Sequence, residues 1–242
     1  SIMAIYLKGT NILSSNDVTS SGILTQKVNR DGLVLYIDSA NNDSLGDSGA
    51  ILDLSDQRNN LTSTLGTRLI GGSNAWEFSS DGHYASGTVN GLTTPYEITL
   101  ETWLYPAPSE VTSGDRGTVI LLTGGRSTYM SWNKSSSTIS NYWYDHQPNG
   151  YHEQFGAVSR GAWHHFCAVW DNRNLHQWVD GEYGVVKGVT GSSTPNTGIN
   201  IGRESSGRQF SGYIAVVRVY NRALNGYEVM ENFNAEKRRF GV

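Results

Sequence analysis

The chain has a single cysteine, Cys167, in 242 residues, so no disulfide can form within it. A small fold stapled by disulfides is excluded, and stability has to come from an apolar core. Proline is scarce too, 5 against 28 glycines, which leaves no proline-rich stalk or linker. No apolar run approaches the ~18–20 residues of a membrane span, and nothing reads as a signal peptide. Positive charge is not in surplus. With 18 Lys and Arg against 22 Asp and Glu, the net charge is −4, and no nucleic-acid footprint exists. The densest basic run, Lys237-Arg238-Arg239, is expected to be a solvated tail. Neither membrane insertion nor nucleic acid is expected, and without a leader, release by cell lysis fits best.

What is present is a succession of short β-rich runs broken by Gly, Asn and Asp. Gly32 to Asp38, Ala75 to Phe78, His83 to Ala85 and Glu97 to Tyr105 read as strands. So do Thr118 to Thr123, Tyr129 to Trp132, Ile139 to Tyr144, Trp163 to Trp170, Leu175 to Tyr183, Ile199 to Gly202 and Gly212 to Tyr220. Ser79-Ser80-Asp81-Gly82 and Asp180-Gly181 carry the Asp-Gly hairpin signal. In Glu97 to Tyr105, strict alternation puts Ile98 and Leu100, with Thr102 and Leu104, on one side. Such spacing predicts an all-β sandwich or barrel.

One helix is predicted, Gly226 to about Glu236, with Asn225 as its cap, Glu228 completing a capping box, and Val229 and Phe233 facing the sheet. Residues 1–30 differ from the rest. Apart from a short strand at Ile5-Tyr6-Leu7 they are mostly polar and too poor in apolar positions for a core. They are expected to form an extended arm before a domain spanning residues 31–242.

Three segments carry a resemblance. They are Trp163-His164-His165-Phe166-Cys167-Ala168-Val169-Trp170 with Leu175 to Gly181; Ile199-Asn200-Ile201-Gly202-Arg203; and Phe210-Ser211-Gly212-Tyr213-Ile214 through Val217-Arg218-Val219-Tyr220-Asn221-Arg222-Ala223-Leu224. Together they resemble the laminin-G-like branch of the concanavalin A-like lectin/glucanase superfamily. The resemblance implies a two-sheet antiparallel jelly-roll sandwich. The ending, Glu228 to Ala235 followed by Arg238-Arg239-Phe240-Gly241, is similar to that of tailed-bacteriophage structural proteins carrying this domain. It implies a virion component (capsid decoration, fibre or tail protein) exposed on the particle surface, with residues 1–30 as its attachment to other virion proteins.

Glucanases of that superfamily place carboxylates two residues apart along one strand face, as nucleophile and acid/base. Glu97-Ile98-Thr99-Leu100-Glu101 keeps the outer pair but has Thr99 where the middle Asp belongs. The pair is therefore expected to be a solvent-facing decoy, and no catalytic residue is assigned. Adjacent His164 and His165 point to opposite strand faces and cannot share a metal; both are expected to be packed or hydrogen-bonded in the sheet. Cys167 is expected to fill the core.

For binding, Tyr142, Trp143, Tyr144, His146, Tyr151 and His152 form a segment dense in aromatics and polar rings. Sugars need that mixture: a ring face to stack on and planar polar groups for hydroxyls. The same residues suit a contact between copies of the chain, and both readings stand. No cofactor is expected. Were an ion held, it would be Ca2+ at Asp38, Asp43 and Asp47, hard oxygen ligands in one loop without the Asp-x-Asp-x-Asp-Gly spacing. The best-supported expectation is a non-enzymatic virion protein presenting a lectin-like sandwich to host or surface glycans. The alternatives are a free carbohydrate-binding module or a glycoside hydrolase with a degenerate Glu-x-Thr-x-Glu motif.

Overall fold

The computed structural model describes residues 6–7, 10–11, 27–92, 97–112, 114–123, 128–143, 151–184, 187–188, 197–204 and 208–242. Two antiparallel sheets pack face to face. One has nine strands, in the order Glu182–Tyr183, Asn174–Val179, His164–Asp171, Glu97–Pro106, Gly212–Tyr220, Ser73–Phe78 and Thr67–Ile70; Leu33–Asp38 also pairs with Gly212–Tyr220, and Lys187–Gly188 with Asn174–Val179. The other has eight: Tyr151–Ala157, Thr138–Trp143, Thr128–Asn133, Arg116–Thr123, Gly198–Ile201, Ala85–Thr88, Leu61–Ser63 and Ala50–Ile51. This is the two-sheet jelly-roll sandwich that the resemblance implied, and one of the two all-β forms that the strand spacing left open.

Between the sheets lies one continuous core. Leu35, Trp76, Leu100, Leu104, Phe166 and Val217 face Ile120, Met130, Trp132, Ile139, Ile199 and Ile201. The alternation in Glu97–Pro106 is obeyed. Ile98, Leu100 and Leu104 enter this core, whereas Glu101 and Trp103 turn outward, away from the second sheet.

The outward face of the nine-stranded sheet is apolar as well, because a helix covers it. Gly226–Phe240 buries Val229, Phe233 and Phe240 against Trp103, Trp163, Trp178 and Val216. Trp103 stacks on Phe240, ring centres 4.2 Å apart, and on Phe233 at 5.8 Å. Each such side chain fully buried contributes about 1.5–3 kcal/mol. The predicted capping box is present: Asn225 accepts from the Tyr227 and Glu228 amides, and Glu228 accepts from the Asn225 amide.

Three expectations need correction. The helix runs one turn past Glu236, and Lys237 to Arg239 form its last turn rather than a solvated tail. There positive charge suits the helix dipole, and Arg239 reaches Asp38 at 2.8 Å and Ser73 at 2.9 Å. Asp81-Gly82 is not a hairpin. Ser73–Phe78 and Ala85–Thr88 belong to different sheets, and the turn carries the chain from one layer to the other. Glu101 does not face solvent but is fully buried.

Of residues 1–30, Tyr6–Leu7 and Thr10–Asn11 pair with each other. Asn29 is docked on the domain, its amide donating to Asn232 and its carbonyl accepting from the Tyr220 hydroxyl at 3.0 Å.

Candidate functional site

The sequence pointed to the strands at one edge of the eight-stranded sheet. Tyr142 and Tyr129 occupy facing register positions on adjacent strands and stack, with ring centres 4.5 Å apart and planes within 10°. The Arg116 guanidinium lies 5.4 Å from the Tyr142 ring centre and donates to its phenol oxygen. Burial, then the neighbouring Tyr142 and Glu204, push the Tyr129 phenol up to about 12, so it stays neutral. The result is a part-exposed Tyr142 ring backed by the buried Tyr129, with a cation beside it. Stacking and cationic hydrogen bonding suit a sugar ring bearing hydroxyl or acidic groups.

Register places His152 opposite Tyr142 and Tyr151 opposite Trp143. The side chains of Trp143, Tyr151 and His152 lie outside the described residues, as do Tyr144 and His146. Alternation is confirmed at Asn141, which is buried, while its neighbour Tyr142 is part-exposed. Sequence reasoning missed Tyr129 and Arg116, because cross-strand partners become visible only once register is known. The one signal available was Tyr129 at the head of an apolar strand.

The Glu97/Glu101 pair is no active site. Glu97 is exposed at the start of its strand, but Glu101 sits under the helix. It accepts from His165 Nε2 at 2.7 Å and Asn232 Nδ2 at 2.8 Å, and Arg218 stands 3.3 Å away. Burial works to raise its carboxyl, but Arg218 and His165 outweigh that and hold it below the usual range. A saturated carboxylate under a helix cannot reach a glycosidic bond.

Ser159, His164 and Asp180 have the outline of a nucleophile triad. His164 Nδ1 meets Asp180 at 2.7 Å and Nε2 meets the Ser159 hydroxyl at 2.9 Å. Nε2 also faces the Ser159 carbonyl at 3.0 Å, an acceptor that calls for a proton on that nitrogen. The Asp180 carboxylate on Nδ1 and the Ser159 carbonyl on Nε2 are both acceptors, so the ring is held as a hydrogen-bond donor to its own turn and loop rather than aimed as a base at the serine. Asp180 also accepts from the His165 amide at 2.8 Å, so the group clamps the Asp180-Gly181 turn. Both histidines are thus hydrogen-bonded sheet residues, as expected from strand alternation. Cys167 is fully buried, and burial followed by the Glu101 charge raises its thiol well above the ordinary value, which leaves no thiolate.

Asp38, Asp43 and Asp47 are not brought together. Asp38 is buried and paired with Arg239, and Asp43 and Asp47 are exposed. Among the described residues no three His, Cys, Asp or Glu side chains are grouped to hold a metal ion.

Residues 78–230 match the family described as the concanavalin A-like lectin/glucanases superfamily. No curated protein matches the chain in sequence. Among solved structures, the binding domain of Paraclostridial Mosquitocidal Protein 1 is similar in fold, with a TM-score of 0.68 and 16% identity over 85% of this chain and 52% of that one. The botulinum neurotoxin serotype D ligand binding domain in complex with N-acetylneuraminic acid gives 0.69 and 12% identity, covering 86% and 52%. The serotype G binding domain gives 0.66 and 11%, covering 85% and 51%. The chain therefore spans about half the length of these toxin domains, and at such identities the likeness concerns fold.

Proposed function

Because the chain belongs to the concanavalin A-like lectin/glucanases superfamily, we propose that it is a non-enzymatic, lectin-like module that binds glycans from the surface of a virus particle. The observation that carries the reading is the part-exposed Tyr142 ring, stacked on the buried Tyr129 and held at its edge by Arg116. An aromatic platform beside a guanidinium is what a pyranose with polar substituents requires. A toxin domain of similar fold is solved with N-acetylneuraminic acid, which supports glycan as the ligand class. The buried state of Glu101 supports a binding role over hydrolysis.

The virion part rests on the phage-like ending at Glu228 to Gly241 and on the polar character of residues 1–30, read as the attachment arm. A free carbohydrate-binding module is the second reading, favoured by the self-contained sandwich. Calcium has no part in the proposal.

A glycan array probed with wild type and with Tyr142→Ala tests the binding. Signal on at least one glycan, lost in the variant, is expected; an empty array or an unchanged variant refutes it. Deleting residues 1–30 is expected to abolish particle incorporation while leaving sugar binding intact. No β-glucan turnover is expected, and turnover abolished by Glu97→Gln would overturn the non-enzymatic reading.

A further inference from the structure

The helix does not cover the whole outer face of the nine-stranded sheet. Beside its first turn an open cleft of about 440 Å3 remains, with Val169, Trp178 and Leu224 buried at its base. That volume falls within the ~300–1,000 Å3 of small-molecule sites.

Three side chains along this cleft form a hydrogen-bonded line. Asp171 Oδ2 lies 2.9 Å from His176 Nε2, and His176 Nδ1 lies 3.0 Å from the Tyr183 hydroxyl. Burial acts to raise the Asp171 carboxyl. Bonds from His176 and from the Asn174 and Arg173 amides outweigh it and bring the group down to about 2. The ionised carboxylate fixes the proton of a neutral imidazole on Nε2. Nδ1 then accepts from the Tyr183 hydroxyl, and the phenol oxygen keeps its lone pairs as acceptors.

The aromatic rings are held in place before any ligand arrives. Tyr183 packs on Trp178 with ring centres 5.0 Å apart, and His176 lies 6.0 Å from Trp178. Even so, Tyr183 remains 51% exposed. A large aromatic fixed by two rings and a hydrogen bond, yet half open, has already lost the freedom a ligand would otherwise have to remove. At the helix start, Asn225 commits its side-chain oxygen to the Tyr227 and Glu228 amides. Its amide nitrogen is left as a donor with no partner among the described residues.

We infer that this cleft is a second binding site and takes an uncharged pyranose, its C–H face on Tyr183 and its hydroxyls on Asn225 and the Asp171–His176–Tyr183 line. The charge of Asp171, with no Lys or Arg among the described residues that line the cleft, works against a carboxylated sugar. A purely apolar occupant would dry the Asn225 amide and the phenol oxygen without replacing their hydrogen bonds. The cleft shares no residue with the Tyr129–Tyr142 surface, so either site can fail alone.

Saturation-transfer NMR and titration of the full chain test this, using methyl α-D-glucopyranoside, methyl α-D-galactopyranoside, methyl α-D-mannopyranoside and, as charged probe, methyl glucuronide. At least one neutral glycoside is expected to bind. Tyr183→Ala is expected to weaken it roughly tenfold and Tyr183→Phe, which keeps the ring, severalfold. The glucuronide is expected to bind more weakly than the best neutral glycoside. Tyr183 lies on a two-residue edge strand, so its variants are expected to fold, and thermal melts check this; if Tyr183→Ala does not fold, Tyr183→Phe carries the test. Failure of all three neutral glycosides overturns the inference. So does wild-type binding by the folded Tyr183 variants, or glucuronide binding as tight as the neutral sugar.

Discussion

Arg218, on the strand Gly212–Tyr220, and Glu236, on the helix, form an ion pair sealed beneath the helix. Glu101 extends it into a row of carboxylate, guanidinium and carboxylate, and the Arg218 guanidinium lies 4.8 Å from the centre of the Tyr36 ring. Trp103 Nε1 donates to the second Glu236 oxygen at 2.8 Å. A buried charge pair adds little net stability, because both ions lose their water. The helix is seated where Glu236 meets both Arg218 and the Trp103 indole.

Replacing Arg218 by Met leaves two carboxylates buried without their cation. A loss of about 3–5 kcal/mol is expected in urea unfolding. A variant as stable as wild type would mean the row is not closed in solution.

Acid titration separates the two carboxylates. Glu101 is held below its ordinary range, so its contribution is present above the unfolded value and lost as pH falls. Glu236 behaves oppositely. Burial first, then the nearby Glu101 and Asp38 charges, outweigh Arg218 and raise its carboxyl, so its ionisation costs folded-state stability as pH rises. Glu236→Gln, which cannot ionise, is expected to gain on wild type as pH is raised from below 4.5 toward neutrality. Unfolding curves at several pH values decide it; a gap independent of pH refutes the assignment.

Gly202 has φ of +82°, and a Cβ there would stand 2.0 Å from Phe78 Cε1. Gly202→Ala combines left-handed strain of ~1–2 kcal/mol with overpacking of ~1–3 kcal/mol. Gly72→Ala is the control, since Gly72 has φ of +80° but open space where its Cβ would sit. A clearly lower melting temperature for the first variant than for the second is the expected result.

Asn225→Ala removes the oxygen that satisfies two first-turn amides of the helix. A cost of about 1 kcal/mol is expected, read as a lower melting temperature with an unchanged sheet signal in circular dichroism. No change would show the helix to be held by its buried face alone.

Where local chemistry decides the outcome, the residues were readable directly. Asn225 with Glu228 announces a cap, Asp180-Gly181 is a true two-residue hairpin with both residues at positive φ, and Ile98, Leu100 and Leu104 alternate into the core. Where the outcome depends on what lies across the sheet, the same signals mislead. Asp81-Gly82 has the hairpin dipeptide, yet Phe78 and Ala85 bury their side chains from opposite layers, and nothing local records that. Glu101 has the pattern of an exposed strand residue. Only the helix, arriving from far along the chain with Asn232 and Glu236, turns that position into an interior one. The Asp171–His176–Tyr183 cleft escaped notice for the same reason, because one side of it is made by the start of that helix.

The pairing of Leu35 with Val219 joins an early strand to the last one. Loop closure on that scale is entropically expensive and comes before its reward, so folding is expected to be slow for a domain of this size. During synthesis the early strand must wait, unpaired on that side, until nearly the whole domain has left the ribosome. A nascent chain arrested before Val219 emerges is expected to be digested by protease as an open polypeptide.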